Sequence, residues 1–256
     1  MDTLPIKVIV LSSGSKGNLT YIEIGPTKIL IDMGTSAKYV TDRLKEININ
    51  PNDIDAILIT HTHKDHTAGL LNYLKRHNNK VYLTEKMHKD LSFIENYKYL
   101  GKENIIGVST VKIIKTSHDA SDSVGYVITN NNRKIVYITD TGYINQKYDD
   151  ILSNADIYIM ESNHDIEMLQ HSSYPFILRQ RILSDKGHLS NIDASRYLAK
   201  YIGSNTKYIF LAHLSEENNT ENLALTTLQN KLKEEQIPLP NIIIAKQNIK
   251  TDSITI

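Results

Sequence analysis

The sequence contains no cysteine, no tryptophan and no excess of either charge. Without cysteine the chain has no disulfides, no thiolate catalysis and no zinc site built from cysteine, so histidine and carboxylate side chains are its strong metal ligands. Because 29 basic residues balance 29 acidic ones, no global positive field indicates nucleic-acid binding, but this balance does not exclude a local basic groove. Net charge therefore decides little about the partner.

Long hydrophobic runs are also absent. The apolar stretch near the start, IKVIVL from Ile6 to Leu11, is too short to cross a membrane and lacks the basic flank and cleavage site of a signal peptide. We therefore expect a cytoplasmic protein with no membrane partner.

Length and composition favour one globular domain over residues 1–256. With 256 residues and 40% hydrophobic content, the chain can bury a substantial core, and no Pro/Gly/Ser-rich linker divides it. Strand-like runs occur in both halves with helix-like segments between them. Since each apolar sheet face must be covered, this pattern predicts an α/β fold of two sheets packed face to face with helices outside.

Several elements can be placed from pattern alone. The runs IKVIVLS, LTYIEI and KILIDMG predict three antiparallel strands, and KIVYITD and DIYIMES predict two later ones. The segment TAGLLNYLKRH predicts a helix after the histidine cluster, and the helical spacing of apolar residues predicts another from Asn191 to Tyr201.

The motif THTHKDH, from Thr60 to His66, places three histidines and an aspartate directly after an apolar strand. His61 and His63 are two residues apart and point the same way from extended backbone, while Asp65 and His66 follow at a turn. Asp65 also falls near the positive end of the helix that follows. The alternative is a polar surface loop, which the density of ligand-type residues makes the weaker interpretation.

Three further ligand-type residues follow apolar strands, namely His118, Asp140 and His213. Strand ends meet at one edge of a sheet, so these side chains can join the histidine cluster. A buried histidine without a metal is the alternative for His118 and His213 taken singly. Seven ligands exceed one tetrahedral site and indicate two divalent ions, with Asp140 as the bridge.

At this point the sequence resembles a known family. THTHKDH matches the HxHxDH signature of the metallo-β-lactamase fold. Further motifs resemble those of the YycJ/WalJ group of bacterial hydrolases, namely SSGSKGN, SHDA, TDTG, ESNHD, RILSDKGHLSN and LAHLSEENN. That group is similar to PhnP-type phosphodiesterases and to tRNase Z. The resemblance implies a four-layer αββα sandwich with a dinuclear site. It implies that one ion takes His61, His63 and His118, that the other takes Asp65, His66 and His213, and that Asp140 is shared. Asp32, in LIDMG, matches an acidic residue that supports the site. Zinc, manganese and iron all suit such ligands.

The resemblance to tRNase Z also implies two catalytic residues, Glu161 and His188, which together handle a proton. A histidine has the pKa for this work, and a glutamate can orient it. The alternative makes His188 a helix-entry residue, with Ser190 or Asn191 as the N-cap, and Glu161 a surface carboxylate. Asp65 is expected to help hold or deprotonate the nucleophile.

Candidate substrate contacts lie near His188. Arg179 and Arg181, with Lys186, form a possible anion-binding patch suited to phosphate, and a solvated helix face is the alternative. Ser190 and Asn191 are further candidates. Tyr174 could stack on a base or pack locally. His77, His88 and His171 lack clustered partners and are expected to be exposed, and the role of His164 is left open.

The expected function is two-metal phosphodiester hydrolysis, in which activated water attacks phosphorus and His188 protonates the departing oxygen. The resemblance implies DNA as the substrate and an exonuclease as the enzyme. One alternative is a hydrolase of a small phosphodiester, thioester or lactam. Another is a non-catalytic module that metals only stabilise. Strand polarity, native metal and oligomeric state are open.

Overall fold

A computed structural model describes residues 4–256, and two seven-stranded sheets form its centre. The first sheet contains β1 (Ile6–Ser12), β2 (Leu19–Ile24), β3 (Thr27–Ile31), β4 (Ala56–Leu58), β5 (Val81–Leu83), β6 (Tyr97–Tyr99) and β14 (Ile254–Thr255). The second contains β7 (Glu103–Ile106), β8 (Ser109–Lys115), β9 (Val124–Asn130), β10 (Arg133–Ile138), β11 (Ile157–Glu161), β12 (Tyr208–Ala212) and β13 (Asn241–Ile244).

The helices cover both outer faces of this pair of sheets. They are α1 (Ala37–Glu46), α2 (Lys64–Thr67), α3 (Leu70–Leu74), α4 (Glu85–Asp90), α5 (Asp149–Leu152), α6 (Ile166–Gln170), α7 (Phe176–Leu183), α8 (Asn191–Tyr201) and α9 (Glu221–Glu234), with short 3₁₀ turns at Pro51–Asp53 and Gln146–Tyr148. Within residues 4–256 no helix has both the length and the apolar character needed to cross a bilayer.

The two sheets share one plan. In the first, β1, β2 and β3 pair antiparallel, and β3, β4, β5 and β6 pair parallel. In the second, β7 to β10 pair antiparallel, and β10 to β13 pair parallel. The antiparallel start predicted from IKVIVLS, LTYIEI and KILIDMG is confirmed.

Alternating side chains of one strand show how the layers form. Ile135 and Tyr137 of β10 join the core between the sheets, whereas Val136 and Ile138 face a second core that contains Leu198 of α8. Successive side chains of a strand point to opposite faces, so a strand buried on both sides reads as a continuous apolar run. The order helix, sheet, sheet, helix follows from this two-sided burial.

Helix α8 spans the predicted residues, and its N-cap explains the start. The Ser190 side chain accepts a hydrogen bond from Asp193 N, which satisfies one of the free amide groups at the first turn. On the buried side lie Ala194, Leu198 and Tyr201. The helical prediction for Asn191–Tyr201 is confirmed.

The single helix predicted from TAGLLNYLKRH is wrong in extent, because the chain forms α2 and α3 with a break between them. At the break, Gly69 N donates to Met33 O (3.0 Å) and Met33 N donates to His66 O (2.7 Å). These bonds hold the segment against the end of β3. Backbone groups used in this way are lost to a continuous helix.

Candidate metal centre

The ends of the strands deliver most of the predicted site residues to one edge of the fold. His61 follows β4, His118 follows β8, Asp140 follows β10 and His213 follows β12 directly. Asp140 and His213 have φ of 54° and 55°, in the left-handed region that non-glycine residues seldom occupy. At His213 this backbone conformation is stabilised by a hydrogen bond that His213 N donates to Ser13 Oγ (2.7 Å).

One group of potential ligands consists of His61, His63 and His118, whose nearest ring nitrogens all lie within 4.8 Å of one another. His63 Nδ1 is 3.3 Å from His118 Nε2. His61 Nε2 is fully buried and has no hydrogen-bond partner among the described residues. Desolvation lowers the pKa of His61 and His118, which keeps both rings neutral with a lone pair free. Three such rings facing one point fit a metal ion.

A second group consists of Asp65, His66, Asp140 and His213. Asp65 Oδ2 is 3.4 Å from the Nε2 atoms of both His66 and His213. Burial opposes protonation of His213, yet the adjacent carboxylates, Asp140 foremost, raise its pKa to about 10. Protonation of this ring and binding of a metal ion at its Nε2 would therefore compete.

Asp140 lies between the two groups. Its carboxylate is 3.1 Å from His66 Nε2, 3.5 Å from His213 Nε2 and 3.9 Å from His118 Nε2. Burial opposes ionisation, but His213 and His66 outweigh it and hold the pKa of Asp140 well below its usual range. A buried carboxylate in this position can be shared by metal ions bound in the two groups.

A further layer of contacts fixes the rings from behind. His66 Nδ1 is 2.7 Å from Asp32 Oδ2, and His118 Nδ1 is 3.1 Å from Gly187 O. Thr60 N in turn donates to Asp32 Oδ1 (2.8 Å). With Nδ1 engaged in this way, Nε2 of each ring is turned to the centre, as in metal sites whose ligands are hydrogen-bonded from outside.

Glu161 contacts the Nδ1 atoms of two histidines in the same way. Its Oε1 is 2.6 Å from His188 Nδ1 and 3.1 Å from His213 Nδ1, and its Oε2 accepts bonds from Thr141 N and Leu189 N. Burial opposes ionisation, but His188 outweighs it and lowers the pKa of Glu161 to about 2. Glu161 is completely buried, so the interpretation as a surface carboxylate is wrong. It contacts His188 and His213 and does not line the cavity.

An open cavity of about 260 Å³ lies over these groups. His188 lines it with a side chain that is 17% exposed, next to Asp65 and Arg181. Arg181 Nε donates to Asp119 Oδ2, and Asp119 Oδ1 is 3.5 Å from His118 Nε2. The rest of the wall comes from loops at the strand ends and from α7, with Ser15, His63, His118, Asp140, Asn163, Tyr174, Leu178, Ile182, His213 and Ser215.

Three predicted substrate residues do not reach this cavity. Ser190 and Asn191 are buried, the first as the cap of α8 and the second bonded to Ser162 and Asn219. An Nη atom of Arg179 donates to Gln170 O. We therefore leave Arg179, Ser190 and Asn191 out of the substrate site proposed below.

Two residues near the centre were missed by sequence reasoning. Asn18 Nδ2 is 3.0 Å from His66 Nε2, and Asn18 N donates to Asp65 O (2.7 Å). Asp119 anchors Arg181 at the rim. The available signals were the turn-rich SSGSKGN, which ends at Asn18, and the position of Asp119 directly after His118.

The other histidines belong to neither group of potential ligands. His171 is exposed as predicted, whereas His77 and His88 are partly buried, the first bonded to Asn52 and the second in contact with the tilted ring of Tyr97. His164 is 1% exposed, and desolvation lowers its pKa to about 4. It is a neutral buried ring.

Two face-to-face sheets, with histidines and carboxylates able to bind metal ions gathered at their strand ends, define an α/β protein of the metallo-β-lactamase fold. Residues 27–213 match the model of the β-lactamase superfamily domain, and the chain belongs to that superfamily. It is 40% identical over 245 residues to Exodeoxyribonuclease WalJ of Streptococcus pneumoniae, which covers 91% of this chain and 90% of that protein. It is 38% identical over 233 residues to Exodeoxyribonuclease YycJ of Bacillus anthracis, covering 88% of each.

Solved structures give the same fold. The metallo-β-lactamase fold protein YhfI from Bacillus subtilis aligns with a TM-score of 0.73 at 17% identity, covering 97% of this chain and 99% of that one. A diphosphatase of the PhnP family aligns with a TM-score of 0.67 at 16% identity, covering 98% of both chains. Human tRNase Z, short form, aligns with a TM-score of 0.65 at 15% identity, covering 96% and 98%. The predicted fold class is confirmed.

Proposed function

We propose that this protein is a metal-dependent phosphodiester hydrolase that degrades DNA from an end. The observation that carries the proposal is the convergence of seven ligand-type side chains next to the His188–Glu161 pair, with an open cavity over them. Similarity over about nine-tenths of the chain to proteins named exodeoxyribonucleases supports DNA as the substrate.

The residues present fit two divalent ions, for which zinc and manganese are our first candidates and iron a third. His61, His63 and His118 would hold one ion, and Asp65, His66 and His213 the other, with Asp140 shared. The orphaned Nε2 of buried His61 supports this set, because a buried ring nitrogen without a partner is costly unless a ligand satisfies it. Such ions supply Lewis acidity toward the phosphate and lower the pKa of water.

His188 is proposed to donate a proton to the leaving oxygen. Its Nδ1 is engaged by Glu161 Oε1 at 2.6 Å, so Nε2 is the atom left to transfer the proton. Buried Glu161 stabilises the protonated ring electrostatically, as a fixed negative charge next to it. The pair therefore fixes the orientation of the His188 ring at the cavity wall.

Asp65 and Arg181 are proposed to act on the nucleophile and the phosphate, respectively. Asp65 lines the cavity with a side chain that is 22% exposed, so its carboxylate can hold the attacking water by accepting a hydrogen bond from it. Arg181 uses Nε for Asp119, and among residues 4–256 its two Nη atoms have no hydrogen-bond partner. A guanidinium held by one side and free on the other is suited to a phosphate oxygen.

The test is an assay of purified protein, supplemented with zinc or manganese, against end-labelled double-stranded DNA, single-stranded DNA, RNA and bis(p-nitrophenyl) phosphate. We expect progressive shortening of DNA from one end, dependent on the metal. Hydrolysis of the small diester without any shortening of nucleic acid would replace this proposal with a hydrolase of small phosphodiesters. No metal-dependent turnover of any substrate would support a non-catalytic module.

A further inference from the structure

A second, smaller cleft lies beside the candidate metal centre. It has a volume of about 170 Å³, and the side chains that matter for its chemistry are those of Lys115, Ser117, Tyr143, Asn145 and Lys147. No carboxylate is among the described residues that line it. We call it the lysine cleft.

The lysine cleft and the metal centre are built on the same two loops. Ser117 precedes the potential ligand His118, and Tyr143 follows Asp140 by three positions. Ser117 N donates to Thr141 Oγ1 (3.0 Å), and Gly142 N donates to Ser117 O (2.9 Å), which ties the loops side by side. A chain molecule held at the metal centre therefore has the lysine cleft as its neighbour.

Lys147 gives the cleft an unneutralised positive charge. Its ammonium lies 4.9 Å from the ring centre of Tyr148, and within residues 4–256 it has no carboxylate partner. Lys115 differs, since Asp122 lies 2.5 Å from its ammonium. Asp149, two positions beyond Lys147, forms an ion pair with Lys200, whose Nζ lies 2.6 Å from Asp149 Oδ2. A chain with no net charge thus presents a local cation next to its candidate centre.

The other groups in the lysine cleft suit a nucleotide. Tyr143 is 41% exposed, and neither its hydroxyl nor Ser117 Oγ has a hydrogen-bond partner in the part of the chain that the structure describes. An ammonium beside a free serine hydroxyl binds a phosphate, and an exposed tyrosine ring offers a face on which a base stacks whatever its sequence.

We propose that the lysine cleft binds a phosphate of the nucleic-acid strand outside the scissile linkage, through Lys147, with an adjacent base on Tyr143. This inference rests on the proposed function, because it extends the substrate path away from the metal centre. It makes Lys147 and Tyr143 determinants of affinity for a polymer, with no part in the chemical step.

The experiment compares Lys147→Gln with wild-type protein and with Lys207→Gln. Lys207 is an exposed lysine just before β12, at the opposite end of the strands from the metal centre, and it has no ion-pair partner among residues 4–256. Binding of a fluorescein-labelled single-stranded phosphorothioate oligonucleotide, which resists cleavage, is measured by anisotropy over a salt series with the metal-loaded proteins. Hydrolysis of bis(p-nitrophenyl) phosphate is measured alongside.

We expect Lys147→Gln to weaken binding about fivefold to tenfold at low salt and to reduce the slope of log affinity against log salt by roughly 0.7, the value for one phosphate contact on a single strand. Lys207→Gln and hydrolysis of the small diester should match wild type. Tyr143→Leu should weaken binding while Tyr143→Phe preserves it, because only the first removes the aromatic face.

Two failures can be told apart. If the wild-type protein shortens DNA but Lys147→Gln keeps its affinity and salt slope, the lysine cleft is not a strand-binding site and the proposed function stands. If the wild-type protein neither binds nor shortens DNA, both proposals are overturned. An equal loss of affinity in Lys207→Gln would also overturn the proposal for the lysine cleft, because it would show a nonspecific effect of surface charge.

Discussion

At the scale of single residues, three strand ends combine backbone strain with a functional side chain. Asp32, Asp140 and His213 have φ of 60°, 54° and 55°. A non-glycine residue in a sparsely populated region costs about 1–3 kcal/mol, and such residues persist where the surrounding structure holds them. Glycine would relax each turn but would remove a carboxylate or an imidazole from the centre. The strain is therefore retained together with the side chain.

Gly34 is the residue whose small size matters most for the centre. A Cβ atom there would lie 1.6 Å from Asp65 O, which is backbone and cannot swing aside. We expect Gly34→Ala to displace the segment carrying Asp65 and His66, and so to lower bound metal in elemental analysis and the melting temperature. Gly101→Ala is the control, since the nearest atom to its added Cβ is 3.6 Å away. Normal metal content and stability in Gly34→Ala would contradict the packing described here.

His188 separates metal binding from catalysis. We expect His188→Ala to retain its metal, because the metal ligands proposed above remain, and to lose about 100-fold or more in DNA hydrolysis, the usual range for a general acid. Hydrolysis of bis(p-nitrophenyl) phosphate should fall less, because its leaving group needs no proton.

The control for this variant is His171→Ala, an exposed histidine bonded to Glu167 O. Wild-type rates on DNA in the His188→Ala protein would remove His188 from the mechanism. Loss of metal would instead move it into the ligand set, since His188 also lies in a group with Asp140, Glu161 and His213 that could hold an ion.

What the sequence could predict at this scale depended on position along strands. His118 and Asp140 were chosen because each follows an apolar run, and the structure places them within 3.9 Å of each other. Asn18 and Asp119 were missed because their importance lies in contacts with residues distant in the chain or on another element. The double contact of Glu161 with His188 and His213 was hidden for the same reason.

At the scale of elements, α8 shows how a helix is stabilised by the sheet it covers. Leu198 is completely buried in the outer core, while Ile192 of the same helix is 50% exposed. We expect Leu198→Ala to reduce the free energy of unfolding by about 2–5 kcal/mol, through lost burial and the cavity left behind. Ile192→Ala should change it by less than about 1 kcal/mol. Chemical denaturation measures both, and equal effects would contradict the assigned faces.

The same comparison explains which elements sequence could place. The ends of α8 were predictable because a serine cap and apolar residues at helical spacing coincide. The break between α2 and α3 was not, because it depends on the bonds to Met33, a residue of another segment. Local sequence signals determine the ends of a helix when no distant backbone group competes for its hydrogen bonds.

At the scale of the whole molecule, the end of the chain returns to its beginning. β14 pairs with β1, and Thr251 Oγ1 accepts a bond from Val10 N (3.1 Å). Layering was predictable from the need to cover apolar faces, but the order of the fourteen strands was not, since long-range pairing leaves no local signal. That residues 1–256 form one domain stays a prediction, and a single cooperative unfolding transition would support it.

Removal of metal should destabilise the whole fold. The centre joins strand ends of both sheets, and a ligand that binds only the folded state at 100 times its Kd adds about 2.7 kcal/mol of stability. We expect a chelator to lower the melting temperature and added zinc or manganese to restore it, measured by differential scanning calorimetry.

Asp140→Ala is the control for this effect, since it removes the carboxylate placed between both ligand groups. Its melting temperature should respond much less to the chelator. An unchanged melting temperature in wild-type protein whose metal has been stripped, as verified by elemental analysis, would show that the ions play no part in stability.

The common plan of the two sheets has a consequence for where the residues of the centre come from. Asp32-Met33-Gly34 follows β3 and Asp140-Thr141-Gly142 follows β10, each at the point where antiparallel pairing gives way to parallel pairing. The same pattern, an aspartate, a variable residue and a glycine, therefore occupies the equivalent point of each sheet. Asp32 braces His66 from behind and Asp140 lies between the two ligand groups, so each sheet contributes one aspartate to the centre from the same point of its plan.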